Sequence, residues 1–259
     1  MTPCEGAAAR LSQLLVAVRA PLVRHCSRVS VRVRERGLRS LTADITGCRT
    51  CARLVRCREA AAKDPPRRFR GQAYWARPIS GFGDPDAALL VLGLAPGAHG
   101  GNRTGRVFTG DRSGDWLYAA LHRAGFASQA ASVSRDDGMV LRGAYVSTVV
   151  RCAPPGNKPT PAERDRCVGY LVRELELLGR LRAVVALGAF AWDGLLIAAR
   201  ESGHPIPKPR PKFGHEAVAR IGPWEVIGSY HVSQQNTFTG RLTEPMLDRV
   251  FARARAAVG

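Results

Sequence analysis

No stretch of this sequence approaches the roughly 18–20 consecutive apolar residues that cross a bilayer, and its first residues lack the apolar segment and cleavage site of a secretory signal. These absences exclude a membrane span and lead us to expect a cytoplasmic protein. Acidic residues are few: 21 Asp and Glu stand against 39 Lys and Arg, for a formal net charge of +18. Lysine is scarcer still, at four of those 39, so no lysine-rich tail accounts for the charge. Residues 1–70 hold sixteen bases against five acids, and the remainder is also basic. Such an excess points to a polyanion, most often nucleic acid, through phosphate neutralisation and counterion release. The plainer source is an arginine-rich compositional habit. Internal repeats and low-complexity tracts are absent. Cysteine is not scarce, but seven is an odd number, and with no export signal it argues for reduced thiols or metal ligands over a disulfide framework.

What is present from Ala87 onward is regular. Apolar runs predict strands at 87–92, 144–150, 183–187 and 225–230. Between and after them, 3.6-residue periodicity predicts helices at 114–124, 161–178, 189–200 and 243–257. This alternation predicts an α/β fold, a three-layer αβα sandwich around a four-stranded, mainly parallel sheet. Thr160-Pro-Ala-Glu163 is a capping box with proline at the first helical position, and it marks one helix start sharply. Before this region, residues 1–40 form a basic N-terminal extension and 41–259 the α/β domain. The extension contains an amphipathic pattern (Leu11, Leu14, Leu15, Val18, Leu22), then Val31 to Arg39, which alternates like a strand and carries charge like an arm. Tyr74-Trp75 is expected to be a packed surface strap, and the proline-rich Gly203 to Pro211 an extended loop.

Two polar loops follow predicted strands. The first runs from Gly93 to Asp111 and holds glycines at 93, 97, 100, 101, 105 and 110. The second runs from His231 to Thr243. Loops at the carboxyl ends of parallel strands are where α/β proteins bind ligands, so the two suggest one cleft with two walls. Asp111 is equally suited to cap the following helix. His231 opens onto the cleft unless it is a buried structural histidine. Phe108 offers an aromatic face or anchors the loop, and Asn157 offers an amide or closes the turn in Pro-Pro-Gly-Asn. The first loop lacks G-x-G-x-x-G, which weighs against a redox protein binding a dinucleotide.

Cys48 and Cys51 form a C-x2-C pair, Cys152 ends a predicted strand, and Cys167 lies in the capped helix. Four convergent thiolates suit a tetrahedral zinc or a four-iron, four-sulfur cluster, and spacing does not choose between them. Cys152 and Cys167 are otherwise core cysteines. Cys57 competes as a ligand, while Cys4 and Cys26 are expected to be free.

Together the glycine loop, His231-Val-Ser-Gln-Gln-Asn-Thr-Phe-Thr-Gly240 and Cys152-Ala-Pro-Pro-Gly-Asn-Lys-Pro159 resemble the motifs of iron–sulfur uracil-DNA glycosylases, specifically the family 5 (type B) branch. The resemblance runs from Cys48 to about Thr243. It implies a monofunctional enzyme that flips uracil, and other deaminated or modified bases, out of double-stranded or single-stranded DNA. The base is excised hydrolytically in base excision repair, and an abasic site remains. The alternative is a non-catalytic cysteine-metal nucleic-acid-binding protein. By resemblance, Cys48, Cys51, Cys152 and Cys167 would hold a four-iron, four-sulfur cluster. Asp111, His231 and Asn157 would be the catalytic polar groups, and Phe108, Ala95, Gly97 and His99 would bind the base. Arg103, Arg106 and Arg241 would contact DNA, and the residues after His231, through Arg241 and Leu242, would form the loop that enters the duplex, with Leu242 filling the gap unless it is an ordinary loop leucine. The chain lacks the acidic residue near His99 and the asparagine near Thr148 of the type A branch, which leaves the water-activating group open. A monomer is expected.

Overall fold

Four apolar runs set the architecture. The computed structural model describes residues 31–259, so the pattern at Leu11 to Leu22 and the cysteines Cys4 and Cys26 lie outside the described residues. In chain order, the elements before the glycine loop are α1 (Val31–Gly47), α2 (Ala52–Lys63), β1 (Phe82–Gly83) and β2 (Leu89–Gly93). Next come α3 (Gly101–Thr104), α4 (Arg112–Arg123), β3 (Ala144–Thr148), α5 (Pro161–Leu177), β4 (Ala183–Leu187) and α6 (Ala189–Glu201). The chain closes with β5 (Val218–Ile221), β6 (Trp224–Ser229), α7 (Gln234–Phe238) and α8 (Glu244–Val258).

The sheet order is β1-β3-β2-β4-β6-β5. The four predicted strands form its parallel centre, and β2, β3 and β4 are buried along their whole length. Covered on both faces, β2 and β4 read as unbroken apolar runs with no alternation, while β3 ends in the buried polar pair Ser147 and Thr148. Leu90, Leu92, Val184, Ala186 and Val226 face a layer containing Leu171, Leu175, Trp192 and Leu195. Leu89, Val91, Val185, Leu187 and Ile227 face Leu117, Leu121, Val250 and Phe251 on the other side. The αβα sandwich is thus as predicted, but the sheet has six strands instead of four. The two additional strands pair antiparallel at the edges, β1 with β3 and β5 with β6. β1 spans two residues, too few to show a period, and β5 reaches β6 through the Gly222-Pro223 turn.

A second correction concerns Val31 to Arg39, which is helix. Arg34, Leu38, Leu41 and Ile45 are buried on one face of α1, which packs on α5, while Arg34 pairs with Asp86. The interleaved arginines gave this helical stripe the look of an alternating strand. Residues 31–259 form one compact unit, so the extension expected to end at residue 40 loses its last ten residues to the folded domain. Among the described residues no helix is long and apolar enough to cross a membrane.

The connections position the site. α4 follows β2 on one face of the sheet, while α6 follows the neighbouring β4 on the other. The loops leaving these two strands therefore part at their carboxyl ends, opening the crevice in which sheets of this type bind ligands.

Candidate active site and cysteine pocket

The loop after β2 is held from both sides. From outside, the strap carrying Trp75 lies along it: the Trp75 and Ala76 N–H groups donate to the carbonyls of Arg103 and Asn102 at 3.0 Å. Tyr74 Oη lies 3.0 Å from His99 Nδ1, and Phe69 stacks on the same imidazole at 6.1 Å. From inside, Arg103 donates to the carbonyls of His99 (2.8 Å) and Gly110 (2.9 Å) and to Gln72 (3.0 Å). Arg106 is buried with 4% of its surface exposed and donates to Thr109, Ser132 and Asp137. Burial works against ionisation of Asp137, but hydrogen bonds from Arg106 and three backbone N–H groups hold its pKa at about 2. The Arg106–Asp137 pair therefore stays ionised and fixes the loop's far end.

Two of the predicted residues meet at the strand ends, and a third, Asp111, packs within the adjoining loop. Phe108 is 7% exposed, and its backbone is in the left-handed region (φ 49°). Its ring lies so close over Gly93 that any Cβ there would overlap it. His231, just past β6, brings its imidazole within 6.2 Å of that ring, centroid to centroid, at a 36° tilt. Burial lowers the His231 pKa to about 4, so the imidazole is neutral near pH 7 and can donate one N–H. Asp111 caps α4, accepting from the Gly114 N–H at 3.0 Å through Oδ1. Its other oxygen, Oδ2, packs against the glycine loop: a Cβ at Gly97 would sit 2.9 Å from it, and one at Gly100 would overlap it. Burial raises the Asp111 pKa against the pull of the Gly114 and Ser113 N–H groups. The cap and the carboxylate in the loop are thus one residue, and the two sequence alternatives for Asp111 do not compete.

The second feature is a pocket lined by Cys48, Cys51, Cys152 and Cys167, with Arg58, Arg151 and Tyr170. Cys57 does not line it. Arg58 Nη1 donates to Cys152 Sγ at 3.0 Å, and the Arg151 N–H to Cys167 Sγ at 3.3 Å. Burial pushes the Cys167 thiol up to about 12, although Arg151 opposes it. Both arginines are buried, and the Nε of each has no partner. Four sulfurs around one pocket, two of them receiving donors, beside two buried cations with unmet N–H groups, fit a bound group that carries acceptors of its own. No three His, Cys, Asp or Glu groups among the described residues are arranged to hold a single metal ion. The pocket is tied to the glycine loop, since Asn102 Nδ2 in α3 donates to the Arg58 carbonyl at 3.1 Å. It is also tied to α5, where Arg53 pairs with Glu163 at 2.9 Å inside the capping box.

A family model, the uracil DNA glycosylase superfamily, matches residues 80–255. The chain belongs to this superfamily. A type-5 uracil-DNA glycosylase of Mycobacterium tuberculosis is 52% identical over 221 residues, covering 85% of this chain and 81% of that one. One from Thermus thermophilus is 49% identical over 218 residues, covering 83% and 95%. A type-4 uracil-DNA glycosylase of Thermotoga maritima is more distant, 32% identical over 134 residues. The superfamily match includes Cys152 and Cys167, while Cys48 and Cys51 precede it.

Within this superfamily chain, several predicted residues stand elsewhere than expected. Leu242 is 0% exposed and belongs to the core with Leu247 and Phe251, so it cannot enter a duplex. Arg106 is spent on its internal ion pair and Arg103 on loop carbonyls, which leaves Arg241 as the exposed one of the three predicted DNA contacts. Asn157 sits exposed on the turn after Cys152, in the left-handed region (φ 57°), and its side chain makes no hydrogen bond among the described residues. Its N–H donates to the Pro154 carbonyl at 3.1 Å, the turn-closing role. Ala95 and Gly97 lie in the loop wall, and His99 is turned to the strap. Sequence reasoning missed Arg58 and Asn102, whose roles depend on partners far along the chain and leave no local signal.

Proposed function

We propose that this chain is a monofunctional uracil-DNA glycosylase acting on DNA in the cytoplasm. The observation that carries this is the meeting of Phe108 and a neutral His231 at the strand ends, with the Asp111 carboxylate packed in the adjoining loop. Extrusion is required because the glycosidic bond is inaccessible inside a duplex. The extruded base stacks on Phe108. The bond between C1′ of the sugar and the base nitrogen then breaks, and its electron pair leaves with the base. The His231 N–H donates to the base oxygen on which negative charge grows. Asp111 lies on the sugar side, where it stabilises the cationic ring or orients the water whose oxygen adds to C1′. The proton from that water passes to the departing base or to solvent.

Cys48, Cys51, Cys152 and Cys167 would hold a four-iron, four-sulfur cluster. The unpartnered Nε atoms of the buried Arg58 and Arg151 beside these cysteines favour a larger group with acceptors of its own over a lone zinc. When bound, the cluster supplies cross-linking of α2, the 152–160 turn and α5, with no redox step. A gel assay with an oligonucleotide containing one uracil tests the function. Alkali-labile abasic product is the expected result, and binding without product would leave only the non-catalytic alternative.

A further inference from the structure

We propose that Phe238 is the residue that enters the duplex and fills the space left by the extruded base. This rests on the proposed glycosylase reading and adds the wedge to it. Phe238 is 67% exposed, and it is the only aromatic among the large hydrophobic residues exposed in the described region. An aromatic ring left in water on a short helix has no packing role to explain it, and its position explains it instead. Phe238 ends α7, seven residues beyond His231, and the Arg112 guanidinium stands 5.6 Å from its ring centroid. Arg112 directly follows Asp111, so the ring stands between the two segments that bring His231 and Asp111 to the pocket.

The carrier is rigid. Asn236 Nδ2 donates to the His231 carbonyl at 2.8 Å, and the Leu242 N–H donates to the Asn236 carbonyl at 3.0 Å. The hydroxyls of Thr237 and Thr239 bond back to the Ser233 and Gln235 carbonyls at 3.3 and 2.6 Å. The buried Leu242 anchors the loop in the core, which lets the Phe238 ring be pushed against a base stack without collapse of its support. The exposed Arg112 sets positive charge beside the ring, suited to the phosphates next to the gap.

The test compares Phe238→Ala, Phe238→Trp and the wild type in single-turnover excision. One substrate has uracil paired with adenine, and the other has the same uracil in an unpaired bubble within the same duplex. Phe238→Ala should slow excision from the paired substrate about 10- to 100-fold, the range one aromatic–base stack supplies, and leave the bubble nearly unchanged. Phe238→Trp should restore most of the rate. A 2-aminopurine beside the uracil should brighten with the wild type and stay quenched with Phe238→Ala. Equal rates on the paired substrate, or equal losses on both substrates, would overturn the wedge. A wild type that excises uracil from neither substrate would instead overturn the proposed function itself.

Discussion

Asp111 shows how one side chain serves structure and chemistry at once. Oδ1 caps α4, and Oδ2 lies in the glycine loop at a position that tolerates no Cβ on Gly100. Asn caps helices as well as Asp does. Asp111→Asn should therefore keep the melting temperature and DNA affinity while single-turnover excision falls by about 100-fold or more, the loss expected when a charge interaction made only in the transition state is removed. Retention of near-wild-type excision would reduce Asp111 to a cap. His231 gives a pH test. Its pKa is lowered from 6.5 to about 4 in the folded chain, so between those values the unfolded chain binds a proton that the folded one does not. Stability must then fall as pH drops through that window. His99 and His215 are also lowered by burial, so the measure is the difference between proteins. The melting temperature of His231→Gln should fall less steeply than that of the wild type from pH 6.5 to 4.

At the scale of elements, the second loop divides its labour between neighbouring residues. Leu242 holds α7 to the core, and Phe238 projects from it. Leu242→Ala should cost about 2–5 kcal/mol in thermal or urea unfolding, as for other fully buried leucines. A loss below about 0.5 kcal/mol would contradict its core placement. α2 has the corresponding role at the cysteine pocket, touching Cys152 through Arg58 and the glycine loop through Asn102. Purified protein should be brown with about four irons per chain. Cys152→Ser should bleach it and speed amide exchange in the 101–104 and 152–160 segments. Colourless, active protein with one zinc would reject the cluster.

At the scale of the whole molecule, the net charge of +18 is less available to DNA than the sequence suggests. Arg58, Arg106 and Arg151 are buried, and Arg34, Arg53, Arg123, Arg180, Arg249 and Arg253 pair with acids. Affinity for undamaged duplex should still fall linearly on a log–log salt plot. The slope should match the few phosphates that exposed residues such as Arg112 and Arg241 can reach. Arg241→Ala should reduce it by about one, and a flat response would make the charge compositional only.

Sequence alone determined what depends on neighbours along the chain. The four central strands, the capped start of α5 and the glycine loop after β2 were legible because burial on both faces, capping chemistry and close approach each impose a local residue pattern. The edge strands escaped because two to four residues define no period, and α1 because arginines filled the gaps of its apolar stripe. Tertiary structure decided which way each loop residue faces. Leu242 and Phe238 lie four residues apart in one polar loop, yet one is in the core and the other in solvent. Arg106 and Arg241 read alike as bases near a cleft, but Asp137, a distant residue in sequence, draws the first inside. Side-chain direction in an irregular segment is set by partners far along the chain, and no periodicity encodes it.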